Sequence, residues 1–176
     1  YFYSNDKSFI LTGNYLKYLT CFFNSKLFKY CFSDNFPELQ GGTRELRKVF
    51  FDKIPVKQIT DQEEIPFAKM LDYLVTLKKE NSPEPTDQFM SIYFEQIANA
   101  LVFELYFKDE FSKEDFEVAN HVAQLPNIDN ESKESVMLQI RKAYIKAHEQ
   151  ASPIRIAVES MSTIPQINLI NNSVTI

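Results

Sequence analysis

The chain has no tryptophan, and among its 176 residues it carries three glycines, two cysteines and two histidines. Each shortage removes a class of chemistry. With so little glycine there is no G-x-G-x-x-G or Walker-type loop, which excludes a self-contained nucleotide or cofactor site. Cys21 and Cys31 stand ten residues apart in one apolar region without C-x-x-C spacing, so they read as two buried, reduced thiols rather than a zinc or redox pair. His121 and His148 are far apart, and His148-Glu149 lacks the second histidine of a zincin; both read as surface or helix-end histidines. No run reaches the roughly 18 apolar residues of a membrane span, and the start lacks a signal-peptide pattern. The expectation is therefore a cytoplasmic protein with no membrane partner. The chain opens at Tyr1, in what reads as the middle of an extended segment, so it is expected to be a piece of a longer protein. The sequons at Asn130 and Asn171 would matter only in a secreted protein and carry no weight.

What is present is a globular composition: 44% hydrophobic and 24% charged residues, with sixteen Phe and nine Tyr to fill a core. The length accommodates one domain or two small ones. The net charge of -5 is unevenly spread. Residues 1–60 hold nine Lys/Arg against five acids, a balance of +4, whereas residues 61–176 carry a balance of -9. A basic half on an acidic chain is the electrostatic footprint of a phosphate-binding surface. It is equally the footprint of an ordinary solvated face.

Along the chain, an extended segment with a strand at about 8–12 precedes Gly13. Tyr15, Leu16, Leu19, Phe22 and Phe23 then recur at helical spacing behind an Asn14 cap. Asn24-Ser25 breaks that helix and caps a second through Phe32, because short polar side chains compete for the backbone at helix ends. Phe36-Pro37 and Gly41-Gly42 mark a loop, and Thr43 caps a helix carrying Arg44, Arg47 and Lys48. Ile54-Pro55-Val56 leaves that helix in extended geometry, and Ile59 closes the segment.

After Asp61-Gln62-Glu63-Glu64 the period is wholly helical. One helix has Pro66 in its first turn and Phe67, Met70, Leu71, Leu74 and Val75 on one face. A linker at 81–86 leads to a helix capped by Thr86 or Asp87, with Met90, Phe94, Ile97, Leu101 and Leu105 as its stripe. Ser112-x-x-Asp115 reads as a capping box for a third helix ending at Pro126. A fourth runs from about Glu131 to Gln150, and residues 152–176 show no clean period. Glu131-Ser132-Lys133 matches half of a nuclease E-x-K motif, but without a preceding Pro-Asp a capping acid is the better account. Glu63-Glu64 and Asp109-Glu110 read as solvated helix ends.

The stretch Leu19–Phe32, with Asn24-Ser25-Lys26-Leu27-Phe28-x-Tyr30-x-Phe32, resembles the LLNSKLFxYYF block of TaqI-like specificity domains. These are the target-recognition domains of type IIG restriction-modification enzymes, related to the specificity subunits of type I systems. The spacing to Gly41-Gly42, Leu46 and Ile54-Pro55-Val56 is also similar, as is the Leu101–Phe107 helix, so that the resemblance spans roughly residues 8–110. It implies a parent enzyme with an S-adenosylmethionine-dependent N6-adenine methyltransferase, with or without a Mg2+-dependent nuclease, upstream of this piece. The catalytic Asn-Pro-Pro-Tyr motif is not in this chain, so recognition is carried over and catalysis is not.

The resulting expectation is an α+β, predominantly helical chain. Residues 1–60 would form a small α/β target-recognition region, 61–151 an antiparallel helical docking region, and 152–176 an extended or disordered tail. The partners would be double-stranded DNA and the upstream methyltransferase or nuclease domains. The residues expected at DNA are Lys26, Lys29, Arg44, Arg47, Lys48 and Lys57, most of them holding phosphates, with an Arg able to read guanine. The alternative is a helical protein-interaction module that does not bind DNA.

Overall fold

A computed structural model describes residues 10–32, 36–37, 48–80, 84–129 and 132–174. Gly41-Gly42, the expected Thr43 cap, Arg44, Arg47, Leu46, residues 81–83 of the 81–86 linker and Glu131 lie outside the described residues. Ten α-helices and one 3₁₀ turn are present among those described. They are α1 (Leu16–Phe23), α2 (Lys26–Phe32), α3 (Lys48–Phe51), α4 (Asp61–Glu80), α5 (Pro85–Tyr106), α6 (Lys108–Lys113), α7 (Val118–Ala123), α8 (Lys133–His148), α9 (Pro153–Ser160) and α10 (Pro165–Ser173). No described helix is long and apolar enough to cross a membrane.

The expected α/β region is corrected by this arrangement, because no strand occurs among the described residues. Ile10–Thr12, the described part of the expected strand, has no regular structure, and Ile10 is 80% exposed. Residues 54–60 are likewise irregular: Ile59 is buried and Ile54 and Val56 half-buried, so their alternation anchors one segment to a helical core. An extended run without a second run beside it has no ladder to join.

The frame is the pair α4–α5. Lys78 of α4 meets Glu95 of α5 near one end, Phe67 and Leu101 line a common cleft nearer the other, and the two helices are therefore antiparallel. Between them Tyr73 and Phe94 set their rings 5.2 Å apart, and Met70, Ile97 and Leu101 complete the interface. Helix α1 lies against both, helix α2 against α5 and α10, and one continuous core joins residues from α1 through α10.

Helix α4 starts a turn earlier than its apolar stripe implies. Thr60 N–H donates to Glu63 Oε2 at 2.8 Å and Glu63 N–H to Thr60 Oγ1 at 3.4 Å, a reciprocal capping box. Pro66 therefore sits inside the helix, not in its first turn. In contrast, Ser112-x-x-Asp115 forms no box: Ser112 belongs to α6, and Asp115 takes a left-handed backbone with φ 57°. Helix α7 is held from outside instead. Glu104 of α5 accepts from the Ala119 N–H at 2.7 Å, while Lys69 of α4 donates to the carbonyls of Ala123 and Leu125. A carboxylate at the start and an ammonium at the end complement the dipole of a six-residue helix.

Residues 152–176, expected as an extended or disordered tail, are helical over Pro153–Ser160 and Pro165–Ser173. Ile154, Ala157, Met161, Ile164, Ile167, Ile170 and Val174 are buried at intervals of three or four. Pro153 and Pro165 each open a helix, where the missing N–H costs nothing. The period is masked because it is divided among two short helices and a 3₁₀ turn.

Candidate functional site

The Asn24-Ser25 joint is fixed by its own polar groups. Thr20, in the last full turn of α1, offers a carbonyl that accepts from both the backbone and the side-chain amide of Asn24, at 3.2 and 2.8 Å. The hydroxyl of Ser25 donates to the Phe22 carbonyl at 2.7 Å and accepts from the Phe28 N–H at 3.1 Å, so one buried side chain ends α1 and caps α2. The next amide, of Lys26, donates to Asn99 Oδ1 of α5 at 2.8 Å. Asn99 is itself oriented by donating to the Glu95 carbonyl at 2.9 Å. Beneath the joint lies an aromatic cluster: Phe22 stacks on Tyr106 at 5.3 Å and meets Phe28 edge-on at 5.6 Å.

This lock leaves a cleft of about 570 Å³ between the joint, the second half of α4 and the middle of α5. Its floor is apolar, made by Cys21, Leu71, Leu74, Val75 and Ala98. Four lysines, Lys26, Lys29, Lys78 and Lys79, stand around it with a single acid, Glu95. The rim thus concentrates positive charge on a chain whose net charge is -5. Lys26 Nζ donates to Asn171 Oδ1 of α10 at 3.2 Å, and Lys78 pairs with Glu95 at 3.0 Å. Cys21 is no nucleophile, since burial pushes its thiol up to about 12.

Of the residues expected at DNA, Lys26 and Lys29 reach this cleft. Lys48 is exposed on α3 and pairs with Asp52 at 2.6 Å. Lys57 serves the scaffold: its backbone N–H donates to the Tyr106 hydroxyl at 3.1 Å and its ammonium to the Leu105 carbonyl at 2.6 Å, near the C-terminus of α5. Neither Lys48 nor Lys57 lines the cleft. Arg44 and Arg47 lie outside the described residues. Lys78, Lys79 and Asn99 were not singled out by the sequence. The Lys78-Lys79 pair at the end of an amphipathic helix was the available signal, and it is equally the ordinary complement of a helix C-terminus.

A second cleft, of about 350 Å³, lies at the other end of the same helix pair. Its floor is Phe67, Leu101, Leu105, Phe111 and Phe116, and its charged groups are Glu63, Glu104, Lys108, Asp115 and Glu117. Burial pushes the Glu104 carboxyl up to about 7, opposed by the Ala119 N–H; Glu117 pushes the same way as burial and Lys108 against it. Glu63 is lowered by its bonds to Thr60.

Set against family profiles, curated proteins and solved structures, the chain has no match in any of the three.

Proposed function

We propose that this chain is a DNA-recognition module of a type IIG-like restriction-modification enzyme, positioning the parent's catalytic domains on their target site. Those domains would be an N6-adenine methyltransferase, using S-adenosylmethionine, and in some arrangements a nuclease. The observation that carries the reading is that the stretch resembling specificity domains, Leu19–Phe32, behaves as one unit. Ser25 closes the joint, the Lys26 amide donates to Asn99 of α5, and Cys21, Phe22, Leu27 and Phe28 are buried in the core. This leaves Lys29 and Tyr30 exposed on α2, with Lys48 and Lys53 exposed farther along the chain. A rigid platform presenting cations is what phosphate positioning requires, since backbone contacts orient a protein on the duplex before any base is read.

The test is duplex binding by the chain as a function of salt. Reversing Arg44, Arg47 and Lys48 to Glu is expected to reduce the slope of log affinity against log salt by about 0.9 for each phosphate no longer neutralised. Duplex affinity indifferent to salt and to those reversals would sink the reading.

A further inference from the structure

We infer that the cleft at the Asn24-Ser25 joint is a docking site for an acidic segment of a protein partner, one that sets apolar side chains on the floor and carboxylates on the lysine rim. Two properties of the cleft have to be satisfied together. The first is the floor: Leu71, Leu74, Val75 and Ala98 are contributed by two long antiparallel helices, so the apolar surface is a strip along the α4–α5 seam. Val75 is 40% exposed at its edge. The second is the rim, where four lysines face one acid.

A nucleic-acid backbone satisfies only the second. Phosphates are held by cations that stay hydrated and gain nothing from an apolar floor, whereas apolar side chains covering that floor gain in proportion to the area removed from water. An uncharged apolar segment satisfies only the first. An amphipathic acidic segment satisfies both, in the manner of a helix or extended peptide seated in a groove. One interaction it would displace at the rim is weak. The Lys78–Glu95 pair has both side chains substantially exposed, at 67% and 45%, and such pairs exchange partners at little cost. Residues 61–176 have a balance of -9, so Lys78 and Lys79 stand out from the half of the chain that carries them. The inference goes beyond the DNA reading; the two share Lys26 and Lys29 and are told apart by Val75, Lys78 and Lys79 on one side and Arg44, Arg47 and Lys48 on the other.

The experiment is fluorescence anisotropy of the full chain with a fluorescein-labelled helical peptide. Leucines recur at every third or fourth position and glutamates occupy the rest. One control keeps the glutamates and replaces leucine with serine, and another keeps the leucines and replaces glutamate with serine. Both controls are expected to bind at least about tenfold more weakly than the parent peptide. Val75→Asp, which spoils the floor, and the double variant Lys78→Glu/Lys79→Glu, which reverses half the rim, should each lower affinity about tenfold. Glu95→Gln should raise it about threefold by releasing Lys78 and removing the one opposing charge. All these positions lie at the surface, and unchanged thermal melts would confirm that the fold is kept. Equal binding of the leucine-free control would reduce the cleft to a charge patch and overturn the inference. Unchanged affinity in the floor and rim variants would do the same. So would a duplex oligonucleotide that displaces the peptide and itself loses affinity on Val75→Asp, since the cleft would then be a nucleic-acid site. The DNA reading stands or falls separately, on Arg44, Arg47 and Lys48.

Discussion

The two clefts are built on the same antiparallel helix pair and differ in how each handles charge. At the Asn24-Ser25 joint the charges are lysines on long stems, standing at the rim of an apolar floor. At the opposite end the principal charge is a carboxylate, Glu104, sunk among Phe67, Leu101, Phe111 and Phe116 and already bonded to a backbone amide. The first arrangement keeps charge at the rim, where Lys26 bonds to Asn171 and Lys78 pairs with Glu95. The second commits it to holding α7 in place, and burial raises its proton affinity as a result. An ionisable group in a cleft is thus easier for a partner to reach when its bonds within the fold lie at the rim than when it is sunk among apolar side chains.

That contrast can be broken most severely through the helix interface beneath both clefts. Phe94 is fully buried against Tyr73, and Phe94→Ala is expected to cost about 3–5 kcal/mol in denaturant unfolding, loosening both sites together. The next effect belongs to the acidic cleft alone. The folded Glu104 carboxyl titrates at about 7, against about 4.3 for an unfolded Glu, so between those values the native state holds a proton that the unfolded chain has released. Its contribution is complete below the unfolded value, declines as pH rises and is lost above about 7, amounting to about 2 kcal/mol once its partial exposure is allowed for. Glu104→Gln should flatten this part of the stability profile, measured as unfolding midpoints across that window. An unchanged slope would show that the carboxyl is not held protonated.

The joint itself comes third. Asn99→Ala removes the acceptor for the Lys26 amide and is expected to cost about 1–2 kcal/mol, with the larger change at the basic cleft. Smallest is Glu95→Gln, which should alter stability by less than about 0.5 kcal/mol while still shifting peptide affinity. A large stability loss there would mean that the Lys78–Glu95 pair is structural, and the contrast between the clefts would narrow.

The sequence made some of this architecture visible and hid the rest for physical reasons. Helices α1 and α2 and the break between them could be read from the spacing of Leu19, Phe22, Phe23, Leu27 and Phe28 around Asn24-Ser25. Helix α4 could be read too, but the apolar stripe puts its start one turn late, and Thr60-x-x-Glu63 is the signal that marks it. The Ser112-x-x-Asp115 pattern misled, because the same residue types serve a helix end and a left-handed turn equally well. Pairing of Ile54, Val56 and Ile59 with another strand could not be judged from one segment, and in the fold they meet helices. Half the basic rim was visible in Lys26 and Lys29. The other half comes from the far end of α4, some fifty residues on, and only the antiparallel return of the chain brings it alongside.

The bond between Lys26 and Asn171 joins residues 145 positions apart. Closing a loop of that length costs about 2 kcal/mol more than closing one of ten residues, a cost set against the burial of Ile167 and Ile170. Contacts of such long range are expected to form late and to open early, without waiting for global unfolding. Helix α10 is therefore expected to come away from α2 more readily than α4 from α5, and amide exchange should be faster at Ile167–Ile170 than at Phe94–Leu101. Each such opening releases the Lys26 ammonium from Asn171, so the kinetics of the last helix set how often that donor can take another partner.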